Sequence, residues 1–112
     1  MPYMELRSYK DPTAEISLEQ RDLVMELVRD HLAQGQGIDG TFEFRFLKRT
    51  SELDWCEYEY ILVIDMGYSE EREKRKSEIA AAIGRQLAII LHTQALAVRL
   101  RLQNAGFVPY KS

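Results

Sequence analysis

Position 2 of this 112-residue chain is proline, whose backbone nitrogen becomes a secondary amine, and hence a base, once the initiator methionine is removed. A small residue after Met1 permits that removal. At the start of a strand beside apolar residues, desolvation disfavours the charged amine and lowers its pKa toward the range useful for a general base. Taken alone Pro2 says little, since proline near a chain start more often has no chemical role. A base that removes a proton leaves an anion, which cationic or hydrogen-bonding groups must hold. Arg7, Arg45, Arg99 and Arg101 share the strand parity opposite to the apolar positions, and each offers a planar fork suited to a carboxylate. The plainer expectation is that at least two of the four pair with Glu5, Glu43 and Glu59 on a polar sheet face. Tyr3 and Tyr60 can bring hydroxyls near the amino terminus, although aromatic residues in strands usually pack.

The remaining reactive residues point to other roles. His31 and His92 lie on predicted helices without acidic or cysteine partners at ligand spacing, so capping or partly buried structural roles are expected, with no metal and no cofactor. Cys56, the single cysteine, lacks a recognisable activating neighbour and reads as a small packed side chain. One cysteine forms no intrachain disulfide, which makes a reducing cytoplasm the default compartment. The charged run from Glu70 to Glu78 reads as the solvated opening of a helix. No Gly-rich phosphate loop or nucleophile elbow is present in the sequence. Fifteen Lys and Arg against eighteen Asp and Glu give a net charge of -3, which disfavours a nucleic-acid-coating surface. The first residues lack the apolar core of a signal peptide, and the uncharged stretch from Gln86 to Val98 is interrupted by Gln, His and Thr, so no membrane association is expected.

Hydrophobic patterning supplies the elements that must carry these residues. Met4 and Leu6 alternate with Tyr3, Glu5 and Arg7, predicting a strand over 3–9 that Asp11-Pro12-Thr13 ends. Ser17-Leu18-Glu19-Gln20 has the form of a capping box. The helix it opens carries Leu23, Val24, Leu27, Val28 and Leu32 on one face and stops at Gly35, Gly37 and Gly40. A second strand begins at Thr41, with Phe42, Phe44 and Phe46 on one face and Glu43 and Arg45 on the other. Residues 48–57 read as a loop, with Trp55 folded back on the core. Tyr58 to Met66 is nearly continuously apolar, as a central strand is. Ser69 is the expected N-cap of a second helix that runs to about residue 91 with Ile79, Ile83, Leu87, Ile90 and Leu91 as its stripe. Leu96, Val98, Leu100 and Leu102 alternate with Arg99, Arg101 and Gln103 in a final strand. Asn104 to Tyr110 departs from strand periodicity, and Phe107 either packs on its own subunit or walls a neighbour's pocket.

The predicted order is β-α-β-β-α-β in a single domain, residues 1–112, and its halves match in places. Ser17 and Ser69 open the helices 52 residues apart, and Arg45 and Arg99 stand 54 apart in similar strands. A duplicated β-α-β unit explains this, as does the shared patterning of any such chain.

The Met1-Pro2 start, the Ser17 to Arg21 helix opening, the Phe42 to Leu47 strand and Gly67-x-Ser69 before the second helix resemble the tautomerase superfamily over nearly the whole chain. The resemblance implies an α+β fold of duplicated β-α-β units, a four-stranded mixed sheet with two helices on one face. It implies Pro2 as the base of a keto-enol tautomerase or related isomerase acting on a small anionic 2-oxo acid. It also implies sites between subunits of a trimer or a hexamer, of which a homotrimer is expected here, and substrate contacts from Arg45, Arg99, Tyr3 and Phe107. Arg45 comes first because it lies on the strand after helix one, where relatives carry a binding arginine. Gly67-Tyr68-Ser69 departs from the Gly-Arg-Ser of many relatives, so one arginine of the pattern is missing. A trimer would also cover Ile61 and Val63, which parity puts on the second sheet face as an apolar patch. The alternative is a non-enzymatic ferredoxin-like interaction or small-ligand-binding module with the same element order.

Overall fold

The computed structural model describes residues 3–10, 15–32, 43–51 and 53–103. Pro2, the Asp11-Pro12-Thr13 turn, Gly35, Gly37, Gly40, Thr41, Phe42 and the segment with Phe107 lie outside the described residues. The elements are β1 (Tyr3–Ser8), α1 (Leu18–Leu32), β2 (Glu43–Lys48), β3 (Tyr60–Gly67), α2 (Glu70–Ile90) and β4 (Leu96–Gln103). This is the expected order, with β3 beginning at Tyr60 rather than Tyr58.

The strands form one sheet in the order β2-β1-β3-β4. β1 and β2 are parallel, β3 and β4 are parallel, and β1 meets β3 antiparallel. A parallel pair requires a crossover, here supplied in each half by a helix. The two strands of each β-α-β unit are direct neighbours. A ferredoxin-like sheet splits them with another strand, so the fold of the alternative reading is not formed. A twofold-like relation within the sheet exchanges β1 with β3 and β2 with β4.

Side-chain alternation turns Met4, Leu6, Leu62, Ile64 and Leu100 onto one face, where they are buried with Val24 and Val28 of α1 and Ile83 and Leu87 of α2. Phe44, Phe46, Leu96 and Val98 pack partly buried against this core from the edge strands. Tyr60 through Ile64 are all buried, as the continuous apolar run of a central strand demands. Leu23 departs from expectation and is 42% exposed, because the buried arc of α1 is centred on Val24 and Val28 and leaves Leu23 at its rim.

Local hydrogen bonds define the helix ends. Ser17 and Gln20 form the expected reciprocal capping box: Gln20 N–H donates to Ser17 Oγ (3.0 Å) and Ser17 N–H to Gln20 Oε1 (2.9 Å). Gln20 Nε2 also donates to the Ile90 carbonyl (3.0 Å), tying the start of α1 to the end of α2. Ser69 Oγ caps α2 by accepting from Arg72 N–H (3.1 Å).

The loop after β2 corrects one expectation, since Trp55 is 80% exposed and Leu53 92%. Its polar groups are satisfied locally: Asp54 Oδ2 accepts from the N–H groups of Thr50 (3.1 Å) and Ser51 (3.2 Å), and Ser51 Oγ from Leu53 N–H (3.1 Å). A turn closed on itself in this way has no need of the core.

At the end of α2, His92 N–H donates to Ile89 O (3.3 Å) and Thr93 N–H to Ala88 O (3.0 Å), the paired bonds of a Schellman motif. His92 occupies the left-handed position, with φ of 52°, where a Cβ is unfavourable and glycine is usual. Replacing it with glycine is expected to stabilise the fold by about 0.5–1 kcal/mol, the relief of left-handed strain exceeding the added chain entropy. Thermal melts of wild type and His92→Gly check this, and an unchanged or lower Tm contradicts it.

Candidate active site

β1 begins at Tyr3, at the end of the sheet where β3 and β4 finish. Across that end, the register sets Glu43, Tyr3, Asp65 and Arg101 in one row, and Arg45, Glu5, Val63 and Arg99 in the next on the same face. A third row holds Leu47, Arg7, Ile61 and Ala97. Every arginine singled out from the sequence therefore lies on the face away from the helices, as parity predicts.

Glu5 is the centre of a local network. Its side chain is only 12% exposed, accepts from Tyr3 Oη at 2.7 Å and is ion-paired with the guanidinium Nε of Arg7. Arg101 donates to Asp65 through Nε (2.6 Å) and a terminal nitrogen (2.9 Å), a two-point pair. Two of the four arginines are thus engaged, with Asp65 rather than Glu43 or Glu59 as the second acceptor. Glu59 pairs instead with Lys10 at 3.1 Å. Arg45 and Arg99 are exposed on the edge strands, each without an ion pair or hydrogen bond among the described residues. The structure does not bring these two together: three interstrand spacings, about 14 Å, separate them.

The apolar patch expected on this face is absent as an exposed feature. Val63 is fully buried and Ile61 is 7% exposed within the single chain. Burial of these two residues therefore requires no second subunit.

Arg72 is a site residue the sequence reading left among the solvated charges of α2. It stands three residues after the N-cap, where a side chain can reach back to the preceding strand, and its Nη1 donates to the Gly67 carbonyl at the end of β3 (3.1 Å). Its Nε is buried without a hydrogen-bond partner. Gly67 lies two residues beyond Asp65, the partner of Tyr3, so this guanidinium belongs to the same end of the sheet as the start of β1. The spacing from Ser69 is the signal that could have found it. Tyr68, where the family pattern has arginine, is 45% exposed.

No family model and no curated protein matches the sequence. Solved structures match its fold. The native crystal structure of Ps01740 has a TM-score of 0.67 and 16% identity, over 96% of this chain and 99% of that one. Pt0534, crystallised after inactivation by 2-oxo-3-pentynoate, has a TM-score of 0.64 and 16% identity over 98% and 93%. A fused 4-OT described as a symmetric trimer has a TM-score of 0.59 and 10% identity over 98% and 92%. These are tautomerase-superfamily structures, and the chain has their fold.

The network around Glu5 makes stability pH-dependent. Burial raises the Glu5 pKa, but the hydrogen bonds from Arg7 and Tyr3 outweigh it and hold the carboxyl below its ordinary value. The same hydrogen bond to Glu5 pushes the Tyr3 phenol up. A carboxyl lowered in the folded state contributes stability above its unfolded pKa, about 4.3, and loses it as pH falls through the folded value. Glu5→Gln is expected to cost on the order of 1–3 kcal/mol at neutral pH, with the gap to wild type closing below about pH 4.3. Urea melts across this range check it, and a gap independent of pH contradicts it.

Proposed function

We propose that the chain is a keto-enol tautomerase or related isomerase acting on a small 2-oxo acid, with the amine of Pro2 as general base after loss of Met1. The observation that carries this reading is the start of β1 at Tyr3, directly after Pro2 in the sequence, in a fold shared with tautomerase-superfamily structures. The likeness to Pt0534, which a 2-oxo acid derivative inactivates, supports the substrate class.

In this mechanism the Pro2 nitrogen takes the hydroxyl proton of the enol and returns it to the adjacent carbon, leaving the ketone. The substrate carboxylate is held by guanidinium groups not already neutralised within the chain. Arg45, opposite Glu5 on the edge strand, is the first of these, and Arg72 supplies a second from the end of β3. Tyr3 stays protonated and orients Glu5, which keeps Arg7 engaged and leaves the outer arginines for the substrate. Arg99, at the far edge of the sheet, joins a site only when a neighbouring subunit approaches it. Phe107 is assigned to the wall of such a shared pocket.

Ultraviolet assays of phenylenolpyruvate ketonisation test the chemistry, using protein whose mass shows that Met1 is gone. Pro2→Ala is expected to lose most of the rate, by about two orders of magnitude or more, the usual worth of a positioned base. Arg45→Ala is expected to raise KM more than it lowers kcat, as loss of a carboxylate contact does. Equal rates for wild type and Pro2→Ala overturn the proline mechanism, and an unchanged KM returns Arg45 to the surface charges.

A homotrimer is part of this proposal. A fused 4-OT of the same fold is a symmetric trimer, and β2 and β4 end the sheet with no strand beyond them among the described residues. Such edges invite pairing with another chain. Light scattering on a size-separated peak at micromolar protein is expected to read three times the chain mass, and a monomer mass overturns the shared site.

A further inference from the structure

At the opposite end of β1 from Tyr3, a pocket opens where β1 and β2 finish. Its volume is about 260 Å³, and Arg7, Ser8, Tyr9, Lys48, Arg49 and Asp54 are among the residues lining it. Ser8 there faces Lys48 on β2 and Tyr60 at the start of β3. The twofold-like exchange of β1 with β3 makes this end the counterpart of the one beside Tyr3. The pocket gathers three cations and one carboxylate.

One oxygen of that carboxylate is engaged within its own loop. Asp54 Oδ2 accepts from Thr50 and Ser51 within its own loop. Arg7 is held by Glu5, and Lys48 reaches Glu15 at 2.9 Å in an exposed pair that screening makes weak. Arg49 is anchored through its backbone, its N–H donating to the Ser8 carbonyl at 3.0 Å. Its guanidinium Nε is buried with no hydrogen-bond partner. A buried charged donor without an acceptor is unfavourable, and an oxyanion entering the pocket would satisfy it with a charge-assisted bond.

We propose that this pocket binds a phosphate group, with Arg49 donating the central hydrogen bond and Lys48 and Arg7 supplying the field. Arg7 and Lys48 already have the carboxylates of Glu5 and Glu15 beside them, so Arg49, whose Nε has no partner, is the cation left for an anion. The proposal does not rest on Pro2 or on the reaction proposed above, although the two places share Arg7. The group arrives either as inorganic phosphate or as a small phosphate monoester, and the two are distinguishable.

Isothermal titration of the full chain with inorganic phosphate and, separately, with glycerol 3-phosphate tests the proposal. Wild type is expected to bind at least one of them at millimolar concentration or tighter, and the tighter ligand identifies the source. Arg49→Ala is expected to weaken that ligand about tenfold or more, and Arg49→Lys, which keeps the charge but loses the Nε donor, by a smaller factor. Arg85→Ala, on the far side of the sheet in α2, should leave the affinity unchanged. Circular dichroism shows which variants are folded, and Arg49→Lys decides the matter if the alanine variant is not. No heat with either ligand in wild type, or equal affinity in wild type and the folded Arg49 variants, overturns the site.

Discussion

The antiparallel pairing of β1 with β3 joins two β-α-β halves, each of which has only a pair of strands beneath its helix. The register runs from Tyr3 opposite Asp65 to Ser8 opposite Tyr60. Because side chains alternate with a period of two, a slip of one residue would turn Met4 and Leu6 away from the helices and put Glu5 among them. Leu62, Val63 and Ile64 are fully buried, so both faces of β3 resist that slip. The register that protects the core is also the one that sets Tyr3 against Asp65 and Glu5 against Val63. Geometry at the candidate site is in this sense a consequence of core packing.

Charge on the open face follows the same arrangement. Glu5 and Asp65 lie on the two central strands, and each takes an arginine from its own or a neighbouring strand. The arginines left over, Arg45 and Arg99, are on β2 and β4, the edges. An anion or a second subunit reaches an edge more easily than the centre, where displacing an existing ion pair would leave a nearly covered carboxylate unsatisfied. The central pairs thus hold the face together while the edges keep their positive charge available.

The two ends of the sheet are alike in another respect. Arg72 follows β3 and Arg49 follows β2, each just past a strand end, and each keeps its Nε covered without a hydrogen-bond partner. The twofold-like relation does not account for this, since it matches β2 with β4 and β3 with β1. The surroundings differ: Arg72 is tied to a backbone carbonyl, while Arg49 shares its pocket with Lys48 and Arg7. The fold therefore offers two cationic places whose chemistry need not be the same.

The amino-acid sequence by itself determined the element order, the parity that separates Arg45 and Arg99 from Phe44 and Val98, and the Ser17–Gln20 capping box. It also contained Pro2 and its place ahead of the first strand, although the described residues begin after it. All of these depend on neighbours a few residues apart, where periodicity and hydrogen-bonding groups can be read directly. Tertiary structure decided which strands are adjacent, and with that the choice of Asp65 for Arg101, 36 residues away, and the reach of Gln20 to Ile90, 70 residues away. It likewise decided that Val63 is covered within the chain, that Trp55 is not, and that Arg72 turns back to the end of β3. These outcomes depend on competition among groups distant in sequence for the same space and the same partners, and local pattern carries no record of who wins.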